Sequence, residues 1–367
     1  MLVSFIIPAY NAVDTIARCL DSIYALSLKR EEFEVIVVDD ASSDNTCEIV
    51  EQYAQQLAND KMSHDKSLNE PLTLNDGNLV LLRQPENHRQ GAARNAGVKI
   101  AKGEYICFVD ADDAVAEGIV KAIRIAKEKK VDMTILHYTE VNENKGTSNE
   151  GKCLNFAEGE IFAGIEMQNK YPYWCSAPWG YIYDKEFLKR VNYPFAEDVL
   201  YEDTDFIMIH LYHAKRTTYS PELGYVAYYR EGSITRSFGS KHVADYLLLG
   251  VRMLRFYDSI IESQESTLTL AESQELEKFA EGILEGACYN VAKACKNLMK
   301  LRSTKEVKAF YERVDGRVNR KKIDTEENIR KYYWNMWTAL CLRHKQITIA
   351  ISTVLIPMYK LVQKCKV

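Results

Sequence analysis

Two runs of carboxylates are the residues of this chain most able to do chemistry: Asp39-Asp40, and Asp110, Asp112 and Asp113. Like charges held close together repel and raise one another's proton affinity, a cost that a bound divalent cation removes. Oxygen-only ligation suits Mg²⁺ or Mn²⁺ rather than zinc, and such ions take one or two carboxylates and fill their remaining positions with water and phosphate oxygens. The ligand implied is a diphosphate. A single Asp at the end of a strand serves equally as a turn former or a helix cap, so it is the density over 110–113 that asks for a metal.

Those carboxylates need strands to deliver them. Leu2 to Ile7 is a continuous apolar run ended by Pro8, and Phe33 to Val38 is a second one, ended by Asp39-Asp40. Both read as buried parallel strands. Between them Ile16, Leu20, Ile23 and Tyr24 recur at helical spacing, which makes a βαβ unit. Helices are expected over about Asn45 to Leu57, Gly91 to Ala101 (stopped at Gly103), Ile119 to Lys127 and Thr204 to Tyr212; strands over Leu79 to Leu82, Tyr105 to Val109 and Met133 to Tyr138. In an open parallel sheet, ligands bind beyond the carboxyl ends of the strands, and both acidic runs fall there. From about Asp245 onward only amphipathic helical patterning remains, so the architecture changes near residue 240 from α/β to all-α.

Composition narrows the class. The 367 residues are 47% hydrophobic and 27% charged with only 17 Gly and 8 Pro, which excludes disordered and collagen-like chains. The net charge of -5 hides a strong segregation: Lys293 to Val367 carries 18 Lys and Arg against 6 Asp and Glu, a formal +12, leaving -17 on residues 1–292. An acidic body does not suit nucleic acid, whereas a basic tail suits an anionic membrane surface or an acidic partner, or is simply a solvated helical face. Nine cysteines without ligand spacing read as buried thiols, and together with the absence of a signal-peptide pattern they point to the cytoplasm. The first strand is followed by Pro8-Ala-Tyr-Asn rather than GxGxxG, and no Walker lysine motif occurs, so a glycine phosphate cradle is excluded.

Five segments in order, Phe5-Ile-Ile-Pro-Ala-Tyr-Asn11, Val37-Val-Asp-Asp-Ala-Ser-Ser-Asp44, Gly91-Ala-Ala-Arg-Asn-Ala-Gly97, Gly103-Glu-Tyr-Ile106 and Phe108-Val-Asp-Ala-Asp-Asp113, resemble the successive motifs of family 2 glycosyltransferases. The likeness is close over about residues 1–115 and looser over 175–236. It implies a GT-A fold, a Rossmann-like, mostly parallel sheet flanked by helices, and a metal-dependent enzyme that inverts the anomeric centre of a nucleotide-sugar. It further implies that Pro8, Ala9 and Tyr10 border the nucleotide, that Asp40 contacts the base, that Asp110 and Asp112 form the DXD motif with Asp112 on Mn²⁺ or Mg²⁺, that Asp113 extends the cluster or holds its loop, and that Arg94 lies near the nucleotide or braces the Asp loops as an ion pair.

Downstream, Tyr201-Glu-Asp-Thr-Asp-Phe206 is similar to the family's ED motif. Inversion by direct displacement needs a base opposite the leaving diphosphate. The resemblance implies Asp203 as that base, with Glu202 orienting the acceptor or Asp203; the residue pattern alone is that of an acidic first helical turn. Ala177-Pro-Trp-Gly-Tyr-Ile-Tyr183 resembles the aromatic stretch before that motif, where Trp179 stacks on a sugar or serves the core. Tyr228-Tyr-Arg-Glu-Gly-Ser-Ile-Thr235 resembles the closing strand and the loop after it, with Arg230, Ser233 and Thr235 as candidates to reach the diphosphate or close over the donor, and Arg230 also as an acceptor candidate. His242 is the nearest downstream candidate for the metal histidine of some relatives or, by preference, a surface histidine. The chain departs from the family at Asn87-His-Arg-Gln-Gly91 and in the long polar stretch Ala58 to Asn78.

The expected organisation is a catalytic domain over 1–240, its nucleotide-sugar half about 1–115 and its acceptor half about 116–240, and a helical domain over 241–367. The expected activity moves a sugar, from a UDP-sugar by preference, to a glycan or lipid-linked acceptor in polysaccharide biosynthesis. A silent nucleotide-sugar or glycan-binding module is the alternative, and a sugar nucleotidyltransferase a second. In the tail, Tyr332 to Trp337 is densely aromatic, and Ile347 to Leu361 is too polar and short to span a bilayer. It suits a helix lying peripherally in a membrane interface, or one docked on the protein or in a dimer.

Overall fold

The structure is a computed structural model and describes residues 1–57, 72–74 (backbone), 78–151, 153–172, 175–229, 239–263, 268–298, 301, 303–314 and 348. Its elements, in chain order, are β1 (Val3–Ala9), α1 (Ile16–Tyr24), β2 (Phe33–Asp39), α2 (Thr46–Leu57), β3 (Leu72–Leu74), β4 (Leu79–Arg83), α3 (Arg89–Ile100), β5 (Tyr105–Phe108), β6 (Ala114–Val115), α4 (Gly118–Lys129), β7 (Met133–Asn142), β8 (Thr147–Glu150), α5 (Gly164–Lys170), β9 (Tyr181–Asp184), α6 (Lys185–Val191), α7 (Glu202–His213), β10 (Thr217–Tyr229), α8 (Ser240–Glu262), α9 (Leu270–Leu298) and α10 (Thr304–Val314). The chain divides into two compact units, Met1–Glu231 and Gly232–Val367.

The first unit is one mixed sheet in the order β3-β4-β2-β1-β5-β9-β7-β10-β6, with β8 added to β7. Strands β4, β2, β1 and β5 run parallel, β9 is antiparallel to both its neighbours, and β10 runs parallel to β7. Side chains alternate between faces along each strand. Phe5, Ile7, Val35 and Val37 accordingly pack under α1, α2 and α4, while Ile6, Ile36, Val38 and Phe108 pack under α3 and α5 to α7. Both faces are therefore buried, which is why these strands read as unbroken apolar runs.

Some boundaries differ from the sequence reading for identifiable reasons. Pro8 does not end β1, because β5 pairs only with Val3 to Ile6 and the strand beyond has one neighbour, where a missing N–H is tolerated. Gly103 does not stop α3, which ends at Ile100; a Cβ there would come within 2.5 Å of the Ser4 nitrogen, so glycine is needed for close approach to β1. The 13-residue β10 contains Pro221 and Gly224, which broke its strand pattern in the sequence and which two register shifts against β7 absorb.

The second unit packs α8 on α9 and α10 on α8. Gly250 lets the first two approach closely, since a Cβ there would fall 2.7 Å from a Val291 methyl. Thr269 and Glu272 form a capping box at the start of α9. The buried Asp245 takes a two-pronged ion pair from Arg313, at 2.6 and 3.1 Å. Among the described residues no helix is long and apolar enough to cross a membrane. The aromatic and basic segments after residue 330 lie outside them, as do Arg230, Ser233, Thr235 and most of the stretch 58–78.

Candidate active site

The parallel register brings Ala9, Asp39 and Arg83 into line at one edge of the sheet, with the loop that follows β5 beside them. The loops after β1 and β2 are stitched together there. The Asn11 N–H donates to Ser42 Oγ at 2.9 Å, the Ser43 N–H to Asn11 Oδ1 at 2.8 Å, and the Ala12 N–H to Thr46 Oγ1 at 2.8 Å. Tyr10 emerges from this seam with an exposed ring. Five of the seven described non-glycine residues with positive φ, Asn11, Ala41, Arg89, Asp198 and Tyr201, stand in the loops or at the helix start of this edge, so backbone strain is concentrated where a site would be.

Adjacent aspartates meet different fates here. Asp40 is buried and spends both carboxylate oxygens on backbone, accepting from the His88 and Arg89 N–H groups at 2.8 Å each. Burial pushes its pKa up, against the pull of those two amides. Asp39 accepts from the Ser42 N–H through Oδ2 at 3.2 Å, but its Oδ1 is buried with no hydrogen-bond partner. A buried acceptor without a donor is costly unless a ligand supplies one. The sequence reading gave the base contact to Asp40 and no separate role to Asp39; what distinguishes the two is that backbone N–H groups engage both oxygens of Asp40 and leave Asp39 Oδ1 without a donor.

The Asp110–Asp113 loop is clamped from the far half of the sheet. The Tyr225 hydroxyl donates to Asp113 Oδ2 at 2.7 Å and accepts from the Asp110 N–H at 3.1 Å, and the Tyr228 N–H donates to Asp113 Oδ1 at 2.7 Å. Asp113 is thereby fully engaged in holding the loop. Burial first, then Asp110 and Asp112, raise its pKa well above the usual range. Asp112 by contrast has an exposed side chain. Trp179 stacks face to face on Tyr225, with centroids 4.4 Å apart and planes at 3°, and meets Tyr138 edge-on, so one of its faces is already taken by protein.

Helix α3 joins this loop to the acidic start of α7. Arg94, 2% exposed, donates through Nη2 to Asp110 Oδ1 at 2.8 Å and through Nη1 to Glu202 Oε1 at 2.7 Å. Burial alone would lower the guanidinium pKa; Asp110 and Glu202 outweigh it and raise it. The rest of the Gly91 to Gly97 motif holds this bridge in place. A Cβ on Gly91 would run into the Ala196 carbonyl, Gly97 leaves room for the Ile6 side chain, and Asn95 pairs with both backbone groups of Phe195 at 2.9 Å. Beside the bridge, the half-buried Asp203 is pushed up to about 7 by burial and then by Glu202, with Arg94 opposing. That value is where a general base works best at neutral pH.

No three His, Cys, Asp or Glu side chains among the described residues form a metal cage by themselves. The donor set available, Asp112 together with Asp110, fits a hard cation of the Mg²⁺ type, which takes one or two carboxylates and completes its shell with water and phosphate. The structure thus gathers Pro8, Ala9, Tyr10, Asp40, Arg94, Asp110, Asp112, Asp113, Glu202 and Asp203 at one sheet edge, places Trp179 against Tyr225, and leaves Arg230 outside the described residues.

Residues 4–182 match the model of the glycosyl transferase family 2. A stretch of 136 residues is 36% identical to the poly(ribitol-phosphate) beta-glucosyltransferase of Bacillus spizizenii, 37% of this chain and 19% of that protein. The succinoglycan biosynthesis protein ExoO of Rhizobium meliloti is 27% identical over 270 residues, 70% of this chain and 68% of that one. The chain therefore spans about a fifth of the first relative's length and about two thirds of the second's. The crystal structure of S. aureus TarS 1-349 in complex with UDP-GlcNAc superposes with a TM-score of 0.59 at 23% identity, covering 98% of this chain and 92% of that one, which shows a shared fold. The GT-A architecture with C-terminal helices is thus the one found, and residues 4–182 carry the match to glycosyl transferase family 2.

Proposed function

We propose that the protein is an inverting glycosyltransferase that moves a sugar from a nucleoside-diphosphate sugar, UDP-linked by preference, to a hydroxyl of a glycan or lipid-linked acceptor during polysaccharide assembly. The observation that carries this reading is the Arg94 bridge. It binds a donor-side carboxylate, Asp110, and an acceptor-side carboxylate, Glu202, in one buried network with Asp203 alongside. The relatives named for sugar transfer to poly(ribitol-phosphate) and for succinoglycan biosynthesis support the same class of reaction.

In this mechanism Tyr10 offers its exposed ring to the base and Asp39 Oδ1 accepts an N–H from it, while Pro8, Ala9 and the Asp40-held loop shape the pocket wall. Asp112 and Asp110 would hold a divalent cation, which would supply positive charge to stabilise the departing diphosphate. Asp203 takes the proton from the acceptor hydroxyl as that oxygen attacks the anomeric carbon from the face opposite the leaving group. Glu202, fixed by Arg94, keeps Asp203's proton affinity high enough for the transfer. No protein acid is required, because a nucleoside diphosphate leaves as a stable anion, unlike the leaving group in a two-carboxylate glycosidase. The basic, aromatic tail fits a peripheral membrane contact near a lipid-linked acceptor; vesicle co-sedimentation that survives truncation at Lys331 would end that part of the reading.

Calorimetric titration with UDP, GDP and CDP, each with and without Mn²⁺, tests the donor site. Mn²⁺-dependent binding of one nucleotide, lost in Asp112→Ala, is the expected result. Absence of binding by all three would leave a silent module.

A further inference from the structure

Arg18, on α1, has no part in the reaction just described, yet its guanidinium gathers three separate elements. Nη2 donates to the main-chain oxygen of Asp112 at 2.6 Å. Nη1 donates to Glu143 Oε1, at the tip between β7 and β8, at 2.5 Å. The central carbon stands 3.7 Å from the centroid of the Tyr228 ring, on the residue whose N–H holds Asp113. Arg18 Nε is buried without a hydrogen-bond partner, a cost the other contacts must offset.

The consequence falls on Asp112. Its side chain is exposed, so the backbone from which it leaves bears directly on its direction. A charge-assisted bond to its carbonyl fixes the peptide plane between Asp112 and Asp113, and with it the direction from which the Asp112 carboxylate leaves the chain. The same cation lies against a loop holding three carboxylates and lessens their repulsion. At its other end Arg18 grips a hairpin whose outer strand, β8, is exposed throughout and pairs only with β7.

We propose that Arg18 is a positioning residue for the donor site: it orients Asp112 toward the diphosphate and its cation, and through Glu143 it ties the β7–β8 hairpin to that loop. The proposal rests on the donor-site reading given above. The test uses the full-length protein with Arg18→Met, Arg18→Lys and Glu143→Gln. Two readouts serve: calorimetry with Mn²⁺ and whichever of UDP, GDP or CDP the wild type binds, and amide hydrogen exchange over residues 109–114 and 140–148 without ligand.

Arg18→Met is expected to weaken nucleotide binding at least tenfold at unchanged stoichiometry and to speed exchange over 109–114. Arg18→Lys, which keeps the charge and reaches the carbonyl, recovers most of the affinity. Glu143→Gln keeps affinity within about threefold and speeds exchange chiefly over 140–148. A merely structural role would lower the stoichiometry and the melting temperature while leaving the Kd of the folded fraction alone, and that pattern overturns the proposal, as does a Kd within twofold of wild type in Arg18→Met. A wild type that binds no nucleotide overturns the donor reading instead; exchange over 109–114, which needs no ligand, tells the two failures apart.

Discussion

The carboxylates after β5 and those opening α7 share one arginine, yet they are prepared for opposite tasks. In the first group Tyr225 and Tyr228 take both oxygens of Asp113 and Arg94 takes one oxygen of Asp110, so that the exposed Asp112 is held out on a rigid frame. In the second, Glu202 is consumed by the same arginine, and its neighbour Asp203 is left half-buried with a proton affinity raised to about 7. Exposure suits a group that must meet a hydrated cation, and burial suits one that must accept a proton near neutral pH. In each group a carboxylate tied into the fold, Asp113 in the first and Glu202 in the second, stands beside the more accessible one assigned to the chemistry.

Substitutions divide the two groups. The largest effect is expected at Asp203: Asp203→Asn should lower kcat by about 10²–10⁴ and leave Mn²⁺-dependent nucleotide affinity within twofold, as read by turnover at saturating donor and by calorimetry. An equal loss of nucleotide affinity would erase the division. Arg94→Met deprives the buried Glu202 and the half-buried Asp110 of their shared cation and should cost about 3–5 kcal/mol in denaturant unfolding. Arg94→Lys should not restore it, since an ammonium cannot span both carboxylates as the planar fork does; full rescue would mean the bridge needs only a positive charge.

The pH response belongs to the second group. Because Asp203 titrates at about 7 in the fold against an ordinary 3.8, turnover should rise with pH through about 7 as the base loses its proton. The folded state binds this proton more tightly than the unfolded one. Its stabilising contribution is thus complete below the ordinary value and disappears as pH rises through about 7. Asp203→Asn should flatten that part of a melting-temperature-against-pH curve, and an unchanged curve would assign the slope elsewhere.

Smaller effects are expected in the first group. Asp112→Asn should weaken Mn²⁺-dependent nucleotide binding roughly tenfold while shifting the melting temperature little, because its side chain is exposed. Tyr225→Phe removes one hydrogen bond to Asp113 and should cost about 1–3 kcal/mol, with a weaker loss of nucleotide affinity. If Tyr225→Phe weakened binding more than Asp112→Asn, the frame rather than the exposed carboxylate would be the main determinant of the donor site.

Much of the frame was legible before any coordinates. The apolar runs before Asp39 and Asp110, and the helical spacing between the first two, located the strand ends at which a ligand should sit. The far half of the sheet was less legible. Strand β8 is wholly exposed, β9 has only four residues, and β10 is interrupted by Pro221 and Gly224, so none shows a long apolar run. Asp39 and Asp40 are identical neighbours in the sequence and were separable only by which of them the backbone had already engaged.

The sequence by itself determined which chemistry is available, carboxylates at strand ends beside aromatic residues, because residue type and local periodicity are local properties of the chain. It also determined the change from a sheet-forming part to a helical one. The tertiary structure alone decided what each charged group does. Arg94 meets Asp110 and Glu202 across 16 and 108 positions, and Arg18 meets Asp112 and Glu143 across 94 and 125. Proton affinity and orientation depend on burial and on partners brought together from such separations, and neither quantity exists until the chain has folded.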